Sequence, residues 1–481
     1  MIGRIVRLAG KLSLRELVRD PRKELGRVMD WMGRRLQHAA RTTAQGPAPA
    51  LPDWLREEMQ AQAMLEPDLL GEQGSHERFA YYSVPFLVKP GEVYRRVVEA
   101  VGLGHCSHVM IVPWLVRGGA DRGALLHLRA WVEAVPADHV VLLLTEPVQS
   151  TWLDRVPAGV RIVQYGEIVA GLGPEDHVRL LTRLLIQMQP AVVHNINSPV
   201  AWSAIEVFGL ALRQHSRLFA SLFCDDYAPN GVPVGHARRY LRSCHAHLTR
   251  VFCDNTVYPE IWARELGIDR GLFKVLKFPY EGQIVEKLEV VVPPGTERVL
   301  WAGRFDRQKR PDILLAVAHR LTHVAFDVHG VMDIGHPHPA VKQLRGLPNV
   351  TMREAFSNFE DIVTDAHVAM LFTSAWEGLP TLLLDASASG LPIVAPAVGG
   401  IADLIEQDWL VQDPEDADAY AVRLGQLLAD PALRQERRRS QYRVLSEERS
   451  WQAFNTAVKD IEHYLAEPNG INPMQQQGNA T

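Results

Sequence analysis

From His108 onward, apolar runs of strand length alternate with helix-length stretches, and they do so in two successive series. The first comprises His108–Trp114, His139–Leu144, Val160–Gln164, Ala191–His194, Arg217–Phe223 and Arg250–Cys253. The second comprises Arg298–Ala302, Phe326–His329, Val350–Met352, His367–Phe372 and Pro392–Ala395. A strand that is apolar throughout must be covered on both faces, and an intervening helix provides the crossover of a parallel sheet. Two such series predict two doubly wound, Rossmann-like α/β domains. The turn-rich stretch VVPPGT divides them. The expected organisation is a helical extension and linker over 1–100, an N-terminal domain over 101–290 and a C-terminal domain over 291–449. A helix over 450–466 and a polar, disordered tail over 467–481 follow.

A length of 481 residues suits two or three domains, and 47% hydrophobic with 22% charged residues is ordinary for a globular chain. A net charge of −5 argues against a general nucleic-acid binder. The four cysteines show neither a CxxC pair nor zinc spacing, which fits a reducing compartment. No apolar stretch is long enough to span a bilayer, and the N-terminus lacks the apolar core and cleavage site of a leader. A cytoplasmic protein is expected. Residues 1–43 read as amphipathic helix, with Ile2, Ile5, Leu8 and Leu12 at helical spacing and many arginines against few acids. Such a segment either docks on an anionic membrane surface or packs on the protein body.

The stretch SAWEGLPTLLLDASASGLPIVAPAVGG (374–400) is the most informative. A strand ending near Phe372 leads into a loop carrying Glu377 and Gly378, Pro380 begins a helix, and Gly390 ends it. A helix start at the carboxyl end of a strand is an anion site. Glu377 at its mouth and Asp385 within the helix can hold hydroxyls on either side of a bound diphosphate. Gly399 and Gly400 would let a ligand approach the backbone. A plain βαβ unit with an incidental acid is the competing reading. Upstream, Gly303 opens the turn after a strand, and Arg304 and Lys309 lie near the next helix start. Two cations there can neutralise a departing diphosphate, or be solvated surface groups.

Together these segments resemble the donor site of the retaining GT-B glycosyltransferases of family four, the glycosyl transferases group 1. The EGLP and ASGLP elements, with two acids separated by seven residues, match the donor signature, and GRFDRQK (303–309) matches its basic element. The resemblance implies that Glu377 binds the donor sugar, Asp385 the ribose, Gly378 and Leu379 the diphosphate, and that Arg304 and Lys309 stabilise its charge. Asp385 stands where glutamate is usual. It further implies two domains facing a cleft, a final helix crossing back to the N-terminal domain, and no need of a metal or other cofactor. The expected partners are a nucleoside-diphosphate sugar and a glycan or lipid-linked acceptor, in surface polysaccharide assembly.

Gly118 and Gly119 resemble the family's Gly-Gly loop on the acceptor side, with Asp121 in place of glutamate, and Arg117 and Arg122 nearby as candidate anion contacts. The expected acceptor-side histidine is missing from SLFCDDYAPNG (221–231), which offers Asp225 and Asp226 instead. His194 is the candidate substitute, against the reading that it is a satisfied histidine at a strand end. Asp333, His336 and His338 have a loose metal-like spacing without a full ligand set. A nucleotide-sugar epimerase on the same fold and a non-catalytic glycan-binding or assembly protein are the alternatives. The epimerase would turn over donor without acceptor, whereas a binding protein need not keep Glu377, Arg304 and Lys309 together.

Overall fold

The computed structural model describes residues 88–102, 104–284, 292–293, 295–331, 338–356 and 358–465, together with Glu57, Gln60, Ala61 and Met64. The expectations for residues 1–43 and for Asp333 and His336 lie outside the described residues, as do the 290/291 division and the tail. The chain forms two compact units, 1–95 and 96–481. Of the first, the described residues are helical and include the start of helix α1 (Val88–Val101).

The second unit holds two parallel sheets. The N-terminal sheet has seven strands in the order β3-β2-β1-β4-β5-β8-β9. These are β1 His108–Val112, β2 Val140–Leu144, β3 Arg161–Val163, β4 Val192–Ile196, β5 Arg217–Ser221, β8 Arg250–Cys253 and β9 Phe273–Val275. A two-stranded antiparallel ribbon, β6 (Asp226–Tyr227) with β7 (Pro233–Val234), branches from the loop after β5. The C-terminal sheet has five strands in the order β12-β11-β10-β13-β14. They are β10 Arg298–Arg304, β11 Ala325–Val331, β12 Val350–Arg353, β13 His367–Leu371 and β14 Ile393–Val394. The central strands β1, β2, β4 and β13 are buried along their whole length, because helices cover both faces.

In both sheets the order reverses beside the first strand. The crossovers leave β1 toward β2 on one side and toward β4 on the other, and likewise from β10 toward β11 and β13. Connections that depart to opposite faces open a crevice at the carboxyl ends of these strands, where doubly wound sheets bind ligands. The fold thus makes two such crevices. One lies beyond β1 and β4, the other beyond β10 and β13.

Helix α2 (Gly119–Val132) follows β1, and the short helix α10 (Leu382–Ala388) follows β13. The latter ends as the glycine spacing predicts: Gly390 takes a left-handed φ of 73°. After helix α12 (Pro431–Glu448) and helix α13 (Trp451–Lys459), the chain lies against the N-terminal sheet. Asn455 Nδ2 donates to Glu133 (2.9 Å), Arg129 lies 3.7 Å over the Trp451 ring, and Tyr464 is wholly buried among His127, His194 and Phe252. Sequence periodicity missed β9 and the β6–β7 ribbon. Each is only two or three residues long, too short to show a period.

Candidate functional site

The crevice beyond β10 and β13 gathers most of the donor-side residues. The loop after β13 brings Glu377 inward, to 6% exposure, where Ser374 Oγ donates to its Oε1 (2.6 Å). The loop after β10 delivers Lys309, whose Nζ donates to the same carboxylate oxygen while lying 4.9 Å over the Phe372 ring. Lys309 is held by its own backbone, which donates to Asp306 Oδ1 (2.9 Å), and its stem passes close to Gly303. A buried carboxylate is stable only when its charge is answered. Here a cation and a hydroxyl do so, and both can instead turn to a ligand.

Gly399 explains why this loop has its shape. Its φ of 51° is left-handed, and a Cβ at that place would overlap the Glu377 carbonyl oxygen. Gly400 N–H donates to the Gly378 carbonyl (2.9 Å), so the two glycine-bearing loops are stitched together. Asp385 sits in the first turn of α10. Burial pushes its carboxyl up, against the opposing pull of the Arg122 guanidinium at 3.4–3.5 Å. Arg122 comes from α2 of the N-terminal domain and also pairs with Glu281 (3.4 Å). Gly119 faces Thr381 at the start of α10, so the Gly-Gly loop abuts the donor helix.

Two acceptor-side expectations need correction. His194 does not face the cleft. It is fully buried, with Nδ1 on the Tyr464 hydroxyl (2.7 Å) and Nε2 on Ser221 Oγ (2.8 Å), because β4 is a central strand and His194 points into the sheet's core. Asp225 is likewise structural. It is 1% exposed, bound by Arg238 (2.6 Å) and by the Trp262 indole N–H (2.8 Å). Asp226 lies exposed in the ribbon and caps the Tyr227 N–H (2.8 Å). Arg304 lies at the rim, 62% exposed, pairing with Asp306 (3.1 Å) and Gln308 (2.8 Å). His338 lies 3.9 Å from Asp312, and among the described residues no group of three His, Cys, Asp or Glu is assembled to hold a metal.

Sequence reading missed the N-terminal domain's grip on the donor loop. Asp254, just past β8, is 3% exposed and accepts the Leu379 N–H (3.1 Å). Burial pushes its carboxyl up to about 7, although Asn255 and the Leu379 N–H both favour the charged form. Asn255 donates to the Phe223 carbonyl (2.7 Å) and lies against Gly400, and Thr256 donates through N–H and hydroxyl to Asp403 (2.7 and 2.6 Å). Three consecutive residues thus dock on the loops carrying Glu377 and Gly399. Nothing in a CDNT tetrapeptide announces this, because its partners lie more than a hundred residues away.

Residues 296–430 match the family model described as Glycosyl transferases group 1. Glycogen synthase of Mycobacterium tuberculosis is 25% identical over 189 residues, covering 37% of this chain and 44% of that protein. D-inositol 3-phosphate glycosyltransferase of Xylanimonas cellulosilytica is 30% identical over 186 residues, covering 35% and 43%. The chain therefore spans less than half the length of the curated relatives it matches. Among solved structures, the lipopolysaccharide outer core galactosyltransferase WaaB superposes with a TM-score of 0.55 at 17% identity, covering 73% of this chain and 98% of its own. Anabaena HepE, solved with UDP and glucose, gives 0.55 at 17%, covering 74% and 99%. The likeness over about three quarters of the chain shows a GT-B fold, and residues 296–430 are similar to the glycosyl transferases group 1.

Proposed function

We propose that the protein is a retaining glycosyltransferase that moves a sugar from a nucleoside-diphosphate donor to a hydroxyl of a glycan or lipid-linked acceptor. The observation that carries this reading is the Lys309–Glu377 pair at the crevice beyond β10 and β13, with Asp385 on the adjoining helix. As the bond from the sugar to the diphosphate breaks, negative charge gathers on the departing phosphate. Lys309, freed from Glu377, lies where it can answer that charge, and Arg304 reaches in from the rim. Glu377 then turns to the donor sugar's hydroxyls, and Asp385 to the ribose. The relatives named for glycogen and inositol-phosphate glycosylation, and a neighbour solved with UDP and glucose, support a nucleotide-sugar donor.

The reaction proceeds without a metal, in surface polysaccharide assembly on the cytoplasmic side. The basic segment 1–43 docks the enzyme on anionic lipid. No helix among the described residues is long and apolar enough to cross a membrane. Thermal-shift screening against nucleotide sugars identifies the donor. Transfer, followed by NMR of the product's anomeric proton, then tests retention. An inverted product, or turnover of donor with no acceptor need, overturns the assignment. Chelation with EDTA should leave the rate unchanged, and salt-sensitive sedimentation with anionic liposomes should vanish when residues 1–49 are removed.

A further inference from the structure

The crevice of the N-terminal sheet holds a cavity of about 300 Å³. It lies at the carboxyl ends of β1 and β4, the switch point of that sheet, and Ala120 in its wall adjoins Gly119, which faces Thr381 of the donor helix. Its size falls at the small end of ligand pockets, roughly 300–1,000 Å³. Trp114, 37% exposed, offers a ring at its edge, and Val112, Pro113 and Ile196 give an apolar floor. The polar groups in its wall are Asp121, Glu146, Asn197 and His236.

The charged side chains lining this cavity among the described residues, Asp121 and Glu146, are both acidic, and a cation adjoins its wall at Arg239, beside His236 and over the Tyr240 ring (5.0 Å). Among the described residues, no lysine or arginine lines it. The nearby arginines are engaged elsewhere: Arg117 donates to the Phe356 carbonyl, Arg122 pairs with Asp385 and Glu281, and Arg238 pairs with Asp225 and Glu265. Burial and the adjacent Arg239 push the His236 imidazole down, so at neutral pH it carries no positive charge. Among the described residues, the Glu146 and Asn197 side chains have no protein partner. Asn197 also holds a left-handed φ of 59° directly after β4, a conformation that a non-glycine residue keeps at a cost.

Resting on the transfer reading above, we propose that this cavity receives the acceptor as an uncharged, hydroxyl-rich sugar unit and rejects acceptors that carry phosphate or carboxylate near the accepting hydroxyl. The apolar face of a pyranose packs on Trp114. Its hydroxyls donate to Glu146 and to the Asn197 carbonyl oxygen, and accept from the Asn197 amide. A phosphate in the same place would meet two carboxylates and, among the described lining residues, no cation, which is how a site discriminates by repulsion. Such an acceptor differs in class from the phosphorylated one in the name of the inositol 3-phosphate relatives.

The test uses the full chain and two parallel readouts. Saturation-transfer NMR and transfer kinetics compare neutral methyl or octyl hexosides with their 6-phosphates and with uronic acids. Thermal shift with UDP and GDP is run on every variant. Neutral glycosides should be preferred by tenfold or more in kcat/KM. Trp114→Ala should raise the acceptor KM about tenfold with donor KM unchanged. Glu146→Lys should narrow or invert the preference against phosphate while nucleotide binding persists. Phosphorylated acceptors that bind as well as neutral ones overturn the proposal, as does failure of any hexoside to bind, or indifference to both substitutions in proteins that still bind nucleotide. Loss of nucleotide binding in the unaltered chain instead sinks the transferase reading.

Discussion

Glu377 and Lys309 act as a pair, and a pair of buried opposite charges responds to substitution as a unit. Glu377→Gln keeps the shape and the Ser374 contact but drops the charge. Transfer should fall about a hundredfold or more, as when one group facing developing charge is lost, while circular dichroism stays native. Lys309→Met should cost a similar factor, and the double variant should be little worse than either single one. Additive losses measured by steady-state kinetics would separate the two roles. Gly399→Ala tests the backbone beneath them. A Cβ at this left-handed position overlaps the Glu377 carbonyl, and strain of this kind costs on the order of 1–3 kcal/mol. Nucleotide affinity should drop and the melting temperature with it. These residues were legible in the sequence because strand, loop and helix follow one another within about thirty positions. Asp254 was not. Its single partner on the donor loop is Leu379, and only folding brings the two segments together.

At the level of elements, the donor helix is shared property of both domains. Arg122 on α2 reaches Asp385 on α10, and the segment 254–256 holds the loops on either side. A ribose bound by Asp385 is bound alike before and during the reaction. Asp385→Asn should therefore raise the donor KM several-fold while leaving kcat nearly unchanged. A collapsed kcat with an unchanged KM would contradict that role. Both alternating series were readable because the central strands β1, β2 and β13 are largely apolar and most crossovers are of helical length. The acceptor face was less so. The expectation for His194 came from its position at a strand end, yet β4 runs two residues further, to Ile196, and the ring turns into the core. His236 was missed because the ribbon before it adds a detour that no periodicity marks.

Across the whole molecule, the N-terminal sheet is completed by residues from near the opposite end of the sequence. Tyr464 links His127 Nδ1 (2.9 Å) and His194 Nδ1 (2.7 Å) through one hydroxyl. Tyr464→Ala should cost roughly 3–5 kcal/mol by the cavity it leaves, read as a lower denaturation midpoint. Burial pushes the His127 imidazole down to about 3. The unfolded chain takes up this proton below about 6.5, while the folded core resists it to about 3. This contribution to stability is therefore present above about 6.5 and drains away as pH falls toward 3. Asp254 works in the opposite sense: raised to about 7, it favours the fold below its ordinary range, and that gain is lost as pH rises through about 7. His127→Phe, which keeps the stack on Phe252, should flatten the acid side of the stability profile measured by urea unfolding at a series of pH values. The same tie also sets an order of events during synthesis. An emerging chain folds from its beginning, but here the first large sheet lacks its last core side chain until some two hundred residues more have been made. A nascent chain halted at residue 449 would carry the His127 and His194 rings beside an unfilled socket, and should be cut by protease at N-terminal-domain sites that the finished protein hides.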